Sequence, residues 1–244
     1  MKTEINNPDL IGEQTLTVIQ KANLFNEWMY STIKPYLKDN VLEIGSGIGN
    51  ISQFVVRDFT NITLSDYNEG YISLLKQRWP KQENLKDLIS IDLQAANFQT
   101  KYSSLGNKFD CIFLLNVIEH LENDKYAVEN CQFMLRKGGH LVVLAPSYQF
   151  LYCKFDQYLG HFRRYTVSSL RSVMSIPGNT IIHSQYFNSL GILGWFVSGK
   201  LLGQSQIGKK EMSTFNKLVP LARIADKLFL NAIGLSSIVV AKKD

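Results

Sequence analysis

The stretch Val41-Leu42-Glu43-Ile44-Gly45-Ser46-Gly47-Ile48-Gly49-Asn50 decides the fold of this chain. Its apolar start predicts a short buried strand, and its end predicts the beginning of a helix. Glycine adopts positive φ at little cost and has no Cβ, so the backbone can approach a ligand closely. The helix N-terminus adds N–H groups without intrahelical partners. The stretch therefore predicts a ligand site at a strand-to-helix turn; the alternative is that its glycines serve the turn alone.

Strands and helices alternate along most of the chain. Apolar runs predict strands at 41–45, 61–65, 88–92, 109–115, 140–145, 180–186 and 235–242. Helical spacing and start signals predict helices at 12–38, 50–58, 68–79, 124–136 and 166–174, and two more around 189–202 and 214–230. Strands that alternate with helices of this length predict an α/β fold with a doubly wound, mostly parallel sheet.

The chain shows no linker of distinct composition that would separate a second core. We therefore predict a single domain over residues 1–244. Within it, residues 1–38 are expected to form N-terminal helices and residues 41–145 the half that binds the cofactor. Residues 146–234 would supply a substrate loop and a helical cap, and residues 235–242 the last strand.

Composition and charge exclude several classes of protein. The 244 residues are 45% hydrophobic and 19% charged, which is typical of a globular protein. The formal charge of +5 suits an anionic small ligand but is too small to indicate nucleic-acid binding. Cys111, Cys131 and Cys153 form no Cys-x-x-Cys pair, so we expect reduced thiols, a cytoplasmic location and no metal site. The first residues lack an apolar leader and polar residues interrupt 187–202, so neither a secretion signal nor a membrane-spanning helix is expected.

Acidic residues accompany the glycine turn and the next two predicted strands. Glu43 precedes a Gly-x-Gly-x-Gly run, whereas a dinucleotide fingerprint has the spacing Gly-x-Gly-x-x-Gly. A carboxylate at this position is unfavourable next to a pyrophosphate. Asp66 ends the second strand, where an acid can accept ribose hydroxyls, although a helix N-cap role also suits it. Asp92 ends the third strand, and its alternative role is that of an ordinary loop aspartate.

The fourth predicted strand leads to a second group of polar residues. It carries Asn116 to the carboxyl edge of the sheet, and Glu119 and His120 follow in the turn. Ligands of open α/β sheets bind at this edge. A histidine has a suitable pKa for a general base, which makes His120 a catalytic candidate. The alternative is a histidine that packs or forms a hydrogen bond near the ligand.

The motifs between residues 41 and 145 together resemble those of the class I S-adenosylmethionine-dependent methyltransferases. The glycine turn is similar to the first motif of that family. The run Asn116-Val117-Ile118-Glu119-His120 is similar to a motif of small-molecule members related to ubiquinone biosynthesis, and residues 136–141 resemble the motif before the fifth strand. The resemblance implies a Rossmann-like methyltransferase fold of seven strands with an antiparallel last strand, and S-adenosylmethionine as the cofactor.

The resemblance also implies which residues hold this cofactor. Glu43 and the glycines would surround its methionine part, Asp66 its ribose and Asp92 its adenine amino group. Tyr67 would line the adenosine, unless it only packs, and Leu93 would cover the adenine ring. The complete predicted set is Glu43, Gly45, Ser46, Gly47, Gly49, Asp66, Tyr67, Asp92, Leu93 and Asn116.

The loop after the fifth predicted strand has an unusual content of arginine, tyrosine and histidine. In the predicted fold it lies over the reacting methyl group. His161 is a second candidate base, and Tyr158, Arg163, Arg164 and Tyr165 are candidate substrate contacts. Arginine binds carboxylate or phosphate with two parallel hydrogen bonds, but it also serves structural ion pairs. The alternative is therefore a salt-bridged loop that holds a helix. The segment is similar to a Gly-His-x-Arg-Arg-Tyr pattern in uncharacterised bacterial methyltransferases.

The cap, residues 188–233, is apolar with a basic fringe. It could cover a hydrophobic substrate, contact a membrane surface or form a dimer, so a monomer and a homodimer both stay open. We favour a lid packed on the sheet, because amphipathic helices usually serve a core.

The sequence thus favours an enzyme that transfers a methyl group from S-adenosylmethionine to a small molecule, with an oxygen nucleophile on an anionic or partly apolar metabolite. Two alternatives are a nicotinamide-dependent oxidoreductase on a similar sheet and a non-catalytic S-adenosylmethionine-binding protein. A nucleic-acid methyltransferase is disfavoured, since no Asn/Asp-Pro-Pro-Tyr motif and no basic tail are present. The acceptor molecule is left undefined, because loops rather than the fold determine it.

Overall fold

The computed structural model describes residues 8–204, 206 and 208–244. Residues 1–7 of the predicted N-terminal region lie outside this part of the chain. Among the described residues, seven strands form one sheet in the order β3-β2-β1-β4-β5-β7-β6. The strands are β1 Asn40–Ile44, β2 Asn61–Asp66, β3 Leu85–Ser90, β4 Phe109–Leu115, β5 Leu135–Pro146, β6 Asn179–Phe187 and β7 Ser236–Lys243.

Helices cover both faces of the sheet. They are α1 Pro8–Gln20, α2 Asn23–Ile33, α3 Ser52–Asp58, α4 Glu69–Arg78, α5 Phe98–Lys101, α6 Asp124–Met134, α7 Lys154–Tyr158, α8 Val167–Met174, α9 Ser189–Trp195 and α10 Lys209–Leu228. A wider helical segment, Phe196–Leu201, continues α9. Two clusters of buried apolar side chains, one on each face, form the core. Central strands such as β1 are buried along most of their length because both faces are covered.

The sheet confirms the predicted fold class. β1 pairs in parallel with β2 and β4, and β4 pairs in parallel with β5. β7 lies between β5 and β6 and runs antiparallel to both. The carboxyl ends of β1, β2 and β4 therefore meet at one edge, which carries the glycine turn and the segment after β4.

Element boundaries near two of the motifs differ from the sequence-based prediction. β3 ends at Ser90, so Asp92 lies in the loop beyond the strand. β5 begins at Leu135, earlier than the predicted residue 140, and α6 ends at Met134. The glycine pair after α6 lies inside the long β5 because the pairing with β4 shifts register there: Phe109 faces Leu135, and Cys111 faces His140. Glycine is tolerated at such an irregularity.

The cap consists of α9, the segment after it and α10, close to the two predicted cap helices. Asp226 of α10 is buried and accepts hydrogen bonds of 2.7 Å from the backbone N–H groups of Asn188 and Ser189, where α9 begins. A carboxylate is favourable at a helix N-terminus, so this contact fixes the angle between the two helices. Within the part of the chain that the structure describes, no helix has the length and apolar character needed to cross a bilayer.

Candidate functional site

The glycine turn after β1 has the backbone conformation that its sequence predicts. Gly45, Gly47 and Gly49 all have positive φ, with +75° at Gly45. A Cβ on Gly45 would collide with the side chain of Val117, in the segment that follows β4. The two motifs found in the sequence are thus in direct contact. The backbone N–H groups of Gly45 and Ser46 both donate to the carbonyl of Ser65 at 2.9 Å, which ties the turn to β2.

Glu43 is buried beneath this turn. Only 4% of its surface is exposed, and one carboxylate oxygen accepts a hydrogen bond of 2.6 Å from the Ser52 hydroxyl. Burial raises the pKa of Glu43 to about 7, although the Ser52 hydroxyl favours the ionised form and opposes this shift. Among the described residues no cation forms an ion pair with it. A buried carboxylate without a counter-charge suits a ligand that brings an ammonium group.

Asp66 ends β2 directly beside the turn. One of its oxygens accepts from the Gly47 N–H at 2.8 Å and the other from the Asn68 N–H at 2.9 Å. Burial raises the pKa of Asp66, while these backbone hydrogen bonds act in the opposite direction. Asn68, not Asp66, is the N-cap residue of α4, since its side chain accepts from the Gly70 N–H. The N-cap alternative for Asp66 is therefore wrong.

The other predicted adenosine contacts lie around the loops after β2 and β3. Tyr67 is 74% exposed, so it does not pack in the core. Asp92 is half-buried and accepts from the Gln94 N–H at 2.8 Å, and Leu93 is buried. Asn116 is exposed at the end of β4 with φ +54°. These positions leave the side chains of Tyr67 and Asn116 open to a ligand at the sheet edge.

The turn after β4 contributes a buried carboxylate that no neighbour satisfies. Glu119 is fully buried, and neither of its carboxylate oxygens has a hydrogen-bond partner among the described residues. The ligand atoms of Glu119, His120 and His161 all lie within 4.8 Å of one another. Burial raises the pKa of Glu119 to about 7, and the nearby His161 and Arg164 act in the opposite direction. Both predicted candidate bases are therefore brought together, around an acid.

His120 and His161 meet edge to face, with ring centroids 4.6 Å apart. His120 is exposed, whereas Glu119 and His161 are buried. The reduced hydration and the neighbouring His161 lower the pKa of His120 to about 4, so this imidazole is neutral at pH 7. The backbone N–H of Phe162 donates to the carbonyl of Glu119 at 2.8 Å and joins the loop that carries His161 to the turn that carries His120.

Asp156 of α7 organises the loop around His161. Its oxygens accept from His161 Nδ1 at 2.9 Å and from Arg164 Nε at 2.8 Å and Nη2 at 3.1 Å, and the Cys153 N–H donates at 2.9 Å. Burial alone would raise the pKa of Asp156, but the hydrogen bonds and charges of His161 and Arg164 hold it below its usual value. Because a carboxylate only accepts, His161 carries its proton on Nδ1 and leaves Nε2 free.

The predicted substrate contacts of this loop have internal partners. Arg164 has only 1% of its side chain exposed, pairs with Asp156 and lies over the Trp195 ring at 4.4 Å. Arg163 and Tyr165 both donate to Asp124 at 2.9 Å, Arg163 through Nη1 and Tyr165 through its hydroxyl. These contacts favour the alternative of a salt-bridged loop for Arg163, Arg164 and Tyr165. Tyr158 is half-buried. Substrate binding by these four residues stays a prediction.

Sequence reasoning did not select three acids that shape this site: Glu119 as an active group, Asp124 and Asp156. Asp124 lies 39 residues before the arginine that it holds, and no short-range pattern links the two. Asp156 stands five residues before His161, a spacing that could have been read as an Asp–His pair within one loop. Glu119 could have been found because it stands between Asn116 and His120, two predicted site residues at the edge of the sheet.

Comparison with known proteins agrees with this geometry. Residues 42–141 match the family model described as "Methyltransferase domain". An alignment of 150 positions, which covers 52% of this chain, shows 27% identity to a probable polyketide synthase 40 of Dictyostelium discoideum. The match spans about 6% of that relative's length. A ubiquinone biosynthesis O-methyltransferase of Coxiella burnetii is 23% identical over 163 residues, which cover 66% of this chain and 63% of that protein.

Solved structures resemble the chain over most of its length. A S-adenosylmethionine-dependent methyltransferase from Archaeoglobus fulgidus superimposes with a TM-score of 0.58 at 16% sequence identity. The superposition covers 89% of this chain and 94% of that structure. At this level of identity the likeness establishes the fold, and the motifs at the sheet edge carry the remaining argument.

Proposed function

We infer that the chain is a class I S-adenosylmethionine-dependent methyltransferase, and we propose that it methylates an oxygen atom of a small molecule. The observation that carries the proposal is the contact between Gly45 and Val117. It brings a turn suited to a cationic ligand against the segment that bears Glu119 and His120. The turn that we assign to the cofactor and the segment that we assign to the reaction thus meet at one edge of the sheet. This edge is the usual ligand position in open α/β folds.

The cofactor S-adenosylmethionine supplies a methyl group already activated on a sulfonium, so the protein contributes binding, orientation and exclusion of water. Glu43 supplies a carboxylate for the ammonium of the amino-acid part. Asp66 supplies acceptor oxygens for the ribose. Asp92 and Leu93 lie in the loop that we assign to the adenine. The side chains of Val117 and Leu16 lie against Gly45 and Gly47, so a side chain at either glycine would disturb the turn that we assign to the ligand.

An oxygen nucleophile must lose its proton as it attacks, and the cluster of Glu119, His120 and His161 is suited to assist. His161 is oriented by Asp156 so that Nε2 faces away from that carboxylate. An imidazole held this way accepts a proton readily, as in other histidine–carboxylate pairs. This orientation supports His161 as the base, and the lowered pKa of His120 disfavours His120 in that role.

The proposal is tested by supplying S-adenosylmethionine labelled with ¹³C at its methyl group together with pools of hydroxylated small molecules. We expect the label to appear in a product as a methyl carbon bonded to oxygen, observed by NMR. Label bonded to nitrogen or carbon would contradict the oxygen acceptor. Binding of the cofactor without turnover in any pool would instead support a non-catalytic binding protein.

We further propose that the acceptor molecule is partly apolar and reaches the enzyme from a membrane surface. The surface of the cap supports this proposal. One face of α10 packs on the protein through Val219 and Ala222, while a second face is apolar and open to solvent. The exposed apolar residues of the cap are Leu193, Phe196, Val197, Leu201, Leu202, Leu218, Leu221, Ile224, Leu228, Phe229, Leu230 and Ile233. The same helix carries exposed basic residues, namely Lys209, Lys210, Lys217, Arg223 and Lys227. Apolar residues with a basic fringe complement an anionic lipid surface.

Cosedimentation with lipid vesicles tests this contact. We expect binding at least about tenfold tighter to vesicles that contain anionic lipid than to neutral ones, since each basic residue near such a surface contributes about 1 kcal/mol. The double variant Leu221→Ser/Leu228→Ser should lose most of the binding. Leu74→Ser, at a comparably exposed position on α4, serves as the control. A stable dimer in solution that binds neither the anionic nor the neutral vesicles would assign this apolar face to contact with a second copy of the chain. That result would overturn the proposed membrane contact.

A further inference from the structure

The Glu119 carboxylate poses a physical problem that the proposed function leaves unsolved. Both of its oxygens are buried and lack hydrogen-bond partners among the described residues. Buried acceptors in folded proteins are nearly always satisfied, because each unmet one costs free energy. A group that stays unsatisfied within the protein points to a partner from outside the chain.

The neighbours of Glu119 indicate the nature of this partner. Two imidazoles, those of His120 and His161, present nitrogen atoms within 4.8 Å of its oxygens. Ligands of a transition-metal ion stand at about 2.0–2.2 Å from it, which places them roughly 3–4 Å from one another. Small side-chain adjustments bring the three groups to such spacings. Two histidines and one carboxylate on one side of an ion form a known open coordination set.

The surroundings of His161 match those of a metal ligand. Metal-bound histidines usually donate their second ring N–H to a carboxylate or carbonyl, which fixes the orientation of the ring. Asp156 accepts from Nδ1 of His161 at 2.9 Å, and Arg164 and the Cys153 N–H hold Asp156 in turn. The Nε2 atom is thereby left as the coordinating atom. The backbone hydrogen bond from the Phe162 N–H to the Glu119 carbonyl joins the segment that carries His161 to the segment that carries Glu119 and His120.

From these observations we propose that Glu119, His120 and His161 bind a divalent transition-metal ion that coordinates the acceptor oxygen. Its part in methyl transfer rests on the proposed function, whereas binding of the ion does not. Coordination lowers the pKa of a bound hydroxyl. In the metal-bound protein His161 Nε2 is coordinated and no longer serves as the base, so the O–H bond breaks and the proton passes to water. The oxygen electron pair forms the new bond to the methyl carbon, and the electrons of the carbon–sulfur bond stay on sulfur. No oxidation is involved, so a redox-inactive ion such as Zn²⁺ suffices.

The test is equilibrium dialysis of metal-depleted protein against Zn²⁺ or Mn²⁺ alone, with the bound metal quantified. We expect one equivalent of at least one ion per chain. Metal binding should weaken at least about tenfold in Glu119→Gln and in His161→Ala. Loss of a residue that only supports a metal ligand already lowers metal affinity by about that factor. His183→Ala is the matched control, because His183 stacks on Tyr36 and bonds to Gln185, outside the cluster. Circular dichroism of each variant verifies that it is folded.

Two outcomes would overturn the proposal: no saturable binding of either ion, or equal binding by Glu119→Gln and the unaltered protein. Titration with S-adenosylmethionine in the same samples separates the two ideas. Cofactor binding and undiminished methyl transfer in the presence of a chelator would contradict the part of the ion in methyl transfer and preserve the proposed function. Metal binding without any cofactor binding would do the reverse.

Discussion

Replacing Asp156 with alanine should lower the free energy of unfolding by about 3–5 kcal/mol, the cost of leaving a buried charge without its partner. Asp156 is fully buried and neutralises Arg164, whose side chain is also buried. The same variant deprives His161 of its orienting acceptor. Equilibrium unfolding in urea at pH 7, with the midpoint and slope both recorded, measures the effect.

Two further variants serve as comparisons for the unfolding free energy of Asp156→Ala. Asp110→Ala removes the partner of Arg136 in a surface pair with half of the arginine side chain exposed, and should cost less than about 1 kcal/mol. The double variant Asp156→Leu/Arg164→Met removes both buried charges and should recover much of the lost stability. A loss below 1 kcal/mol for Asp156→Ala alone would contradict the description of this loop as an ion-paired scaffold.

Replacing Glu43 with glutamine should weaken binding of S-adenosylmethionine by about 10- to 100-fold, since a hydrogen bond to a charged group contributes roughly 1.5–3 kcal/mol. Glutamine keeps the size of the side chain and can still accept from Ser52, so the folded structure should persist. Isothermal titration calorimetry provides the dissociation constants. Glu129→Gln, at an exposed position on α6, is the control and should leave the affinity unchanged.

The pH dependence of binding supplies a second test at the same residue. In the free protein Glu43 has its pKa raised to about 7, so it is largely protonated at pH 5.5. The cationic cofactor favours the carboxylate, so binding releases a proton and the affinity should increase as pH rises from 5.5 to 7.5. Folding has the opposite dependence, since a raised carboxyl pKa makes its contribution to stability decline over the same interval. In Glu43→Gln the pH dependence of affinity should be reduced; an unchanged profile would contradict the assignment.

Sequence reasoning succeeded where the chemistry is local. The three glycines require positive φ, and the structure gives it to each of them. The alternation of strands and helices predicted the sheet because strands such as β4 are buried on both faces and therefore read as apolar runs. The antiparallel β7 was expected from the family resemblance and is confirmed. The short helix Lys154–Tyr158 and the early start of β5 depend on tertiary pairing, and the sequence did not indicate them.

Long-range partners limited the prediction of the site. Arg163 and Arg164 read as anion contacts because their type suits that role, but only the fold reveals Asp124 and Asp156 beside them. His120 and His161 were selected separately, and the contact between their rings arises from the return of the loop over β4. The unsatisfied state of Glu119 is likewise a property of packing, which a single sequence does not encode in any short pattern.

The most direct test of the central claim is calorimetric titration of the purified chain with S-adenosylmethionine and, separately, with the reduced nicotinamide dinucleotides. We expect saturable binding of one S-adenosylmethionine per chain and no heat of binding from the dinucleotides, because Glu43 stands where a pyrophosphate would be repelled. Binding of a nicotinamide dinucleotide without binding of S-adenosylmethionine would contradict the account.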